Sequence, residues 1–86
     1  MTYFMPKTHV GAFMHITLLL ADQCSAASAT LALEMLSAAN LFADHPPFEI
    51  VVASLDGQAV DAWGGQRLQV ACAVAQVRQT DLILIP

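Results

Sequence analysis

Residues 16–42 read ITLLLADQCSAASATLALEMLSAANLF, and this order of residue types predicts a strand, a turn and a helix. Residues 16–21 form an unbroken apolar run, which is typical of a strand buried on both faces of a parallel sheet. Residues 22–25 interrupt that run with three polar side chains and Cys24. Farther along, five apolar residues recur at the spacing of one helix face: Leu31, Ala32, Met35, Leu36 and Ala39.

The predicted helix is apolar around most of its circumference. Its polar residues Thr30, Glu34 and Ser37 make only a narrow stripe. Such a helix needs cover on more than one side, so we expect it to lie between its own sheet and a second surface. Because exposed apolar patches mark interaction sites, we predict that residues 28–42 form the interface of a homo-oligomer.

The second half of the sequence predicts further strands. Pro46 and Pro47 stop the helix, because proline lacks the amide hydrogen that a helix requires. Residues 48–55 are again mostly apolar, so strand, helix and strand make a βαβ unit with two parallel strands. Residues 81–86 predict another buried strand, for which the sequence offers no neighbouring strand and no following helix. We therefore expect a fragment of a larger sheet, or a chain with an obligate partner.

Shorter elements are predicted between these two strands. The Asp-Gly pair at residues 56–57 and the extended piece after it predict a hairpin, at the sheet edge or beyond the strand end. The glycine pair at residues 64–65 predicts a turn rather than a phosphate-binding loop, since no lysine follows it. Residues 67–70 alternate like a short exposed strand, and residues 71–79 favour one or two helical turns.

Composition limits the possible functions. The 86 residues are 57% apolar and 12% charged, against about 25% charged in an ordinary domain, so there is more apolar surface than a chain of this size buries alone. Three basic residues and a net charge of −4 exclude nucleic-acid binding by this segment. Residues 1–15 predict a loose lead-in rather than a signal peptide, and no run approaches the roughly 20 apolar residues of a membrane span. We expect a cytoplasmic protein.

The spacing of cysteine and histidine does not favour a metal site. Cys24 and Cys72 do not have the spacing of a disulfide framework. We interpret them as buried small side chains in a reducing compartment, and a disulfide between them is the alternative. His9 and His15 are six residues apart, which suits neither a helix face nor a zinc pair. We expect no metal, nucleotide or flavin site, and no cofactor.

The loop after the first strand is the candidate ligand-binding site. Ligands of α/β sheets bind beyond the carboxyl ends of the strands, where Asp22, Gln23, Cys24 and Ser25 would lie. Asp22 or Ser25 would alternatively act only as the N-cap of the helix. No residue near Cys24 in the sequence supplies a base, so we do not expect a reactive thiol there.

Four segments together resemble a known family of regulators: residues 16–20, 33–40, 48–57 and 80–86. In this order and spacing they are similar to the N-terminal, ligand-sensing domain of GlxA-type members of the AraC family of transcriptional regulators. That domain is a branch of the ThiJ/PfpI superfamily, with a class I glutamine amidotransferase-like fold. The resemblance implies an α/β fold, a three-layer flavodoxin-like sandwich with a mainly parallel sheet, of which residues 16–86 are the first half.

The resemblance also implies a function, that of a non-catalytic domain that binds a small-molecule effector and dimerises. DNA would be bound only by a helix-turn-helix domain C-terminal to this sequence, and no membrane contact is implied. The catalytic cysteine and histidine of the superfamily would lie beyond Pro86, and neither Cys24 nor Cys72 matches the nucleophile. Enzymatic relatives carry an acidic side chain where Ser28 aligns, and we include Ser28 among the ligand-binding candidates.

Two alternatives stay open at this point. One is a ThiJ/PfpI-type cysteine hydrolase or amidotransferase-like enzyme truncated before its nucleophile, which predicts a cysteine on a strand-to-helix elbow, and a histidine, encoded beyond Pro86. The other is a self-contained small α/β protein that is stable only as an intertwined oligomer.

Overall fold

The computed structural model describes residues 14–86 in full and residues 2–4 by their backbone. Within these residues the strands are β1 Thr2–Phe4, β2 Met14–Leu20, β3 Phe48–Ser54, β4 Val60–Asp61, β5 Arg67–Leu68, β6 Cys72–Ala73 and β7 Leu82–Ile85. The α-helix is α1, Ala26–Phe42. One turn of 3-10 helix covers Val74–Gln76.

Five of the strands form one mainly parallel sheet in the order β1-β7-β2-β3-β6. The strands β7, β2, β3 and β6 run parallel, and β1 pairs with β7 in the antiparallel sense. Leu18 in the central strand faces Val52 on one side and Leu84 on the other. Without the two-residue β6 and the antiparallel β1, the parallel strands lie in the order β3-β2-β7. In chain order this is 2-1-3, with which the flavodoxin-like arrangement begins. The predicted α/β fold class is confirmed.

The helix α1 covers one face of this sheet. Alternate residues of β2, namely Ile16, Leu18 and Leu20, are buried there together with Leu82 and Leu84 of β7. Two buried alanines of α1, Ala29 and Ala32, meet this layer. Because alanine is small, the helix backbone can approach the sheet closely, and the core is made by sheet side chains more than by helix side chains.

The face of α1 that packs on the sheet differs from the predicted one. Of the five apolar residues that the spacing grouped together, Ala32 is buried and Leu36 is half-buried against the core. The other three, Leu31, Met35 and Ala39, are exposed. The grouping was wrong because this helix is apolar around most of its circumference, so its sequence carries too little polar contrast to indicate which face turns inward.

The sheet face opposite α1 is covered by irregular chain. Thr17 is only 1% exposed, and its hydroxyl donates a 2.9 Å hydrogen bond to Thr80 Oγ1, which in turn donates to the carbonyl of Leu82. The core of β2 is therefore buried on both faces, as predicted. Contrary to prediction, β7 finds neighbours within this sequence, because β1 and β2 flank it.

The helix boundaries agree with the sequence signals. Ser25 is the N-cap, and its Oγ accepts a hydrogen bond from the Ser28 amide at 3.2 Å. The cap is thus Ser25 and not Asp22. At the other end, the side chain of Asn40 donates to the Phe48 carbonyl at 2.8 Å and accepts from the Phe48 amide at 2.9 Å. Asn40 therefore fixes where β3 begins.

Three smaller elements differ from prediction. The hairpin pairs β4 with β5 around the glycines at residues 64–65, as a separate two-stranded sheet, and the Asp-Gly pair at residues 56–57 is only a turn. Residues 71–79 contain one helical turn, as predicted, but it is 3-10 helix and it follows the short strand β6, which was not predicted. Part of the predicted lead-in, residues 1–15, is sheet, because β1 and the first two residues of β2 fall within it. His9 lies outside the described residues.

Within the described part of the chain, α1 is too short to cross a membrane as an apolar span.

Candidate functional site

A cleft opens where β2 and β3 end, at the carboxyl-terminal edge of the parallel sheet. β2 ends at Leu20 and β3 ends at Ser54, and these two residues are register partners. The cleft has a volume of about 220 Å³. It is lined by residues after both strands and by the approach to β4: Leu20, Ala21, Asp22, Ser54, Leu55, Asp56, Ala59 and Val60. Open α/β sheets bind ligands beyond the carboxyl ends of their strands, and the cleft lies at that edge of the sheet.

The polar groups of the cleft are two carboxylates and one hydroxyl. Asp56 Oδ1 accepts a hydrogen bond from the Gln58 amide at 2.9 Å, which closes the turn after β3. The Ser54 hydroxyl donates to the Gln58 carbonyl at 2.8 Å. Asp22 Oδ1 receives only a long contact of 3.4 Å from the Asp61 amide. Since none of the lining residues is basic, the cleft carries negative charge.

The loop that carries Asp22 is held in a tight turn. The Cys24 amide donates to the Ala21 carbonyl at 3.1 Å, and Gln23 has a positive φ of 67°. A left-handed backbone at a residue other than glycine costs about 1 kcal/mol or more. The surrounding bonds enforce it, because the Gln23 amide donates to the Asp61 carbonyl at 2.7 Å and the Trp63 amide donates to the Cys24 carbonyl at 2.8 Å.

The same bonds attach the β4–β5 hairpin to the rim. Buried Val60 and Ala62 anchor the hairpin in the core, while Trp63 near its tip is exposed. On the outer side of the hairpin, Arg67 Nε lies 3.0 Å from Asp61 Oδ1. The hydrogen bond that Arg67 donates to Asp61, together with the negative charge of Asp61, raises the pKa of the Arg67 guanidinium above its usual value. Asp61 is thereby paired outside the cleft.

The five predicted ligand-binding residues do not converge on one cavity. Asp22 lines the cleft. Gln23 and Ser25 are exposed, and Ser25 serves as the helix cap. Cys24 is half-buried against the apolar core, and Ser28 is half-buried in the first turn of α1.

Ser54 and Asp56 are the cleft residues that sequence reasoning missed. The sequence did contain a pattern that indicates these two residues. They end β3 and follow it as Asp22 follows β2, and the carboxyl ends of two neighbouring parallel strands share one edge of a sheet. The predicted βαβ unit therefore already placed the two loops side by side.

A second cavity, of about 290 Å³, lies on the sheet face opposite α1 and is lined in part by His15, Thr17, Glu49 and Cys72. His15 Nδ1 lies 3.7 Å from Glu49 Oε2. Both cysteines are free thiols. Among the described residues, no three His, Cys, Asp or Glu side chains are grouped closely enough to hold a metal ion.

Gly57, next to the cleft, cannot carry a side chain without strain. Its φ is +80°, and a Cβ there would lie 3.0 Å from the Ala73 backbone nitrogen. We expect Gly57→Ala to lower the free energy of unfolding by about 2 kcal/mol. Gly65→Ala is the matched control, since Gly65 also has a positive φ of +91° but open space around it, and it should lose about 1 kcal/mol. Urea denaturation followed by circular dichroism measures both, and equal losses would contradict the close contact.

Comparison with known proteins gives a structural match. No protein-family model matches the chain, and no curated protein matches it in sequence. The chain is similar to the crystal structure of a protein from Vibrio parahaemolyticus assigned as a transcriptional regulator, with a TM-score of 0.70 and 22% sequence identity. The match covers 85% of this chain and 38% of that one. The described residues thus have the α/β fold of a part, less than half, of the Vibrio parahaemolyticus protein.

Proposed function

We propose that this chain is part of the effector-binding domain of a transcriptional regulator. The observation that carries the proposal is the acidic cleft beyond the carboxyl ends of β2 and β3, on a fold shared with a protein assigned as a transcriptional regulator. The sequence resemblance of residues 16–86 supports the narrower assignment to the GlxA-type, ThiJ/PfpI-like branch of the AraC family. In that assignment, a separate helix-turn-helix domain contacts DNA in the cytoplasm.

The cleft favours a small ligand with a positively charged group. Its volume of about 220 Å³ is below the roughly 300–1,000 Å³ of sites for drug-sized molecules. The carboxylates of Asp22 and Asp56 attract an ammonium group, which donates the hydrogen bonds that carboxylates accept. Leu20 and Val60, both buried, supply an apolar wall. A short aliphatic amine has a positive charge for the carboxylates and an apolar chain for the wall, so it matches both features of the cleft.

A non-catalytic role accounts for the chemistry around the cleft. Cys24 packs against the core instead of lining the cleft, and Ser28 occupies the position at which the enzymatic relatives carry an acid. The alternative assignment is a ThiJ/PfpI-type hydrolase, and the coding sequence beyond Pro86 distinguishes it from the regulator. A basic helix-turn-helix supports the regulator, and a cysteine on a strand-to-helix elbow supports the hydrolase.

Thermal unfolding with small ligands tests the cleft. We expect at least one short aliphatic amine from a panel to raise the melting temperature, and matched aliphatic carboxylates to have no effect. At ten times its Kd, a ligand stabilises the folded state by about 1.4 kcal/mol, or roughly 6–11 °C in a domain of this size. Differential scanning fluorimetry measures the shift.

Two variants assign that shift to the cleft. Asp22→Asn removes a lining carboxylate and should abolish most of the shift. Asp44→Asn is the matched control, because Asp44 is an exposed acid beyond the end of α1 and outside the cleft, and its shift should equal that of the parent protein. An amine that stabilises both variants equally would bind elsewhere and would count against the proposal.

A further inference from the structure

The second cavity, on the sheet face opposite α1, contains two opposite charges that do not pair with each other. Its lining includes Glu49 of β3 and Arg78, which follows the 3-10 turn. Among the described residues, no ion pair within 4.0 Å joins these two side chains, and Arg78 has no acidic partner at that distance. A cavity that holds both signs of charge without direct contact is complementary to a ligand that also carries both signs.

The segment after β6 supplies hydrogen-bond donors to this cavity. The Arg78 guanidinium is planar, and its N–H groups match the two oxygens of a carboxylate. Gln76 also lines the cavity, and its Oε1 accepts a hydrogen bond from the Ala73 amide at 2.9 Å. Because that oxygen is engaged, the side-chain nitrogen of Gln76 is the group left to donate. These two residues therefore favour a carboxylate.

The start of β2 and β3 supplies an acceptor. Glu49 and His15 are register partners, and His15 Nδ1 lies 3.7 Å from Glu49 Oε2, which is longer than a hydrogen bond. The Glu49 side chain is 65% exposed, so its oxygens are accessible to a ligand. A carboxylate accepts the hydrogen bonds that an ammonium group donates, and Glu49 therefore favours an ammonium group.

The rest of the lining includes an apolar wall, and the cavity is small. Val51, Val77 and Cys72 line it and are half-buried, and a free thiol packs as a small hydrophobic group. A cavity of about 150 Å³ holds benzene, so one of about 290 Å³ holds roughly ten non-hydrogen atoms. A sphere of that volume is about 8 Å across, a distance that a small ligand spans with a hydrogen bond of about 2.8 Å at each end.

We propose that the second cavity binds a free α-amino acid with a small apolar side chain. Its carboxylate accepts hydrogen bonds from Arg78 and Gln76, its ammonium group donates to Glu49, and its side chain lies against Val51 and Val77. The ligand thereby joins the two charges that the protein keeps apart. A simple carboxylate or a simple amine satisfies one of these charges and leaves the other without a partner.

This site goes beyond the proposed function, because it is separate from the acidic cleft. The two cavities share no lining residue. The acidic cleft contains Asp22 and Asp56 and no basic residue, so it attracts an amine and repels the carboxylate of an amino acid. The two sites therefore select different ligands.

Isothermal titration calorimetry with L-leucine and two analogues tests the requirement for both charges. The analogues keep the branched chain: isocaproate lacks the ammonium group, and isopentylamine lacks the carboxylate. The Asp22→Asn protein is used for all three, because it weakens amine binding in the acidic cleft and leaves the second cavity unchanged. We expect a Kd for L-leucine below about 1 mM, and binding of each analogue that is weaker by at least roughly 10-fold.

Two substitutions assign leucine binding to the second cavity. Arg78→Gln and Glu49→Gln each remove one charged partner, and each should raise the Kd of L-leucine roughly 10- to 100-fold. Arg67→Gln and Glu34→Gln are the matched controls, since both residues lie outside the cavity, and each should change the Kd less than about 3-fold. All four residues are exposed, so the variants should fold, which far-UV circular dichroism checks.

Three results would overturn the inference: no binding of L-leucine up to about 10 mM, an analogue that binds as tightly as L-leucine, or a Kd that Arg78→Gln or Glu49→Gln leaves unchanged. The parent protein should bind L-leucine with the same Kd as the Asp22→Asn protein, because the acidic cleft takes no part. Stabilisation by an amine depends on Asp22 and leucine binding depends on Arg78, so a failure of one site is distinguishable from a failure of the other.

Discussion

Leu18→Ala should lower the free energy of unfolding by about 3–4 kcal/mol. Leu18 is 1% exposed in the central strand β2, and its register partners Val52 and Leu84 flank it on both sides. The helix residues in the same cluster include Ala29 and Ala32, whose side chains are too short to move into the space that the leucine vacates. An 86-residue domain has only about 5–10 kcal/mol in total, so this variant should lose about a third or more of its free energy of unfolding.

Urea denaturation followed by circular dichroism measures the loss. Leu55→Ala is the control, because it removes the same atoms from a side chain that is 74% exposed and should change the free energy of unfolding by no more than about 0.5 kcal/mol. Similar losses for the two variants would mean that β2 is not the centre of the core.

Asn40→Ala should lower the free energy of unfolding by about 3 kcal/mol, although the side chain that it removes is polar. Asn40 makes two hydrogen bonds to the Phe48 backbone, as donor at 2.8 Å and as acceptor at 2.9 Å. An unpaired, partly buried backbone group costs about 1–3 kcal/mol, and this change leaves two of them. The variant should also loosen the start of β3, because Phe48 is the first residue of that strand.

Two measurements separate this effect from a general loss of helix stability. Ser37→Ala, on the exposed side of the same helix, should change the free energy of unfolding by no more than about 0.5 kcal/mol. Hydrogen exchange should become faster at the Phe48 amide in Asn40→Ala than in the parent protein. Unchanged exchange at that amide would show that the bonds contribute little.

The fold was largely predictable because its main elements carry local signals. Aliphatic runs indicated β2, β3 and β7, and the apolar spacing with Pro46 and Pro47 bounded α1. Among the short strands, β4 and β5 lie in segments that were predicted to be extended, whereas β1 and β6 escaped prediction. The strand β1 has three residues and is defined by its pairing with β7, which no local pattern encodes. The face of α1 that packs on the sheet could not be predicted for a different reason, because apolar residues surround most of the helix.

The candidate site was predictable in part. The rule that ligands bind at the carboxyl ends of parallel strands led to Asp22, which lines the cleft. It could not distinguish Asp22 from Ser25, because either side chain can cap a helix, and the hydrogen bond from Ser28 decides between them. Ser28 came from the family resemblance, and it lies in the first turn of α1 and outside the cleft.

The pairing of β1 with β7 has a consequence for biosynthesis. Thr2 lies opposite Ile85, so β1 hydrogen-bonds to a strand that is translated 83 residues later. At about 5–20 residues per second, β1 leaves the ribosome roughly 4–16 s ahead of its partner. The unit β2-α1-β3 can assemble in that interval, because its contacts are closer in sequence. Until β7 is made, the backbone groups of β1 lack that partner, and an unpaired strand edge can pair with other chains.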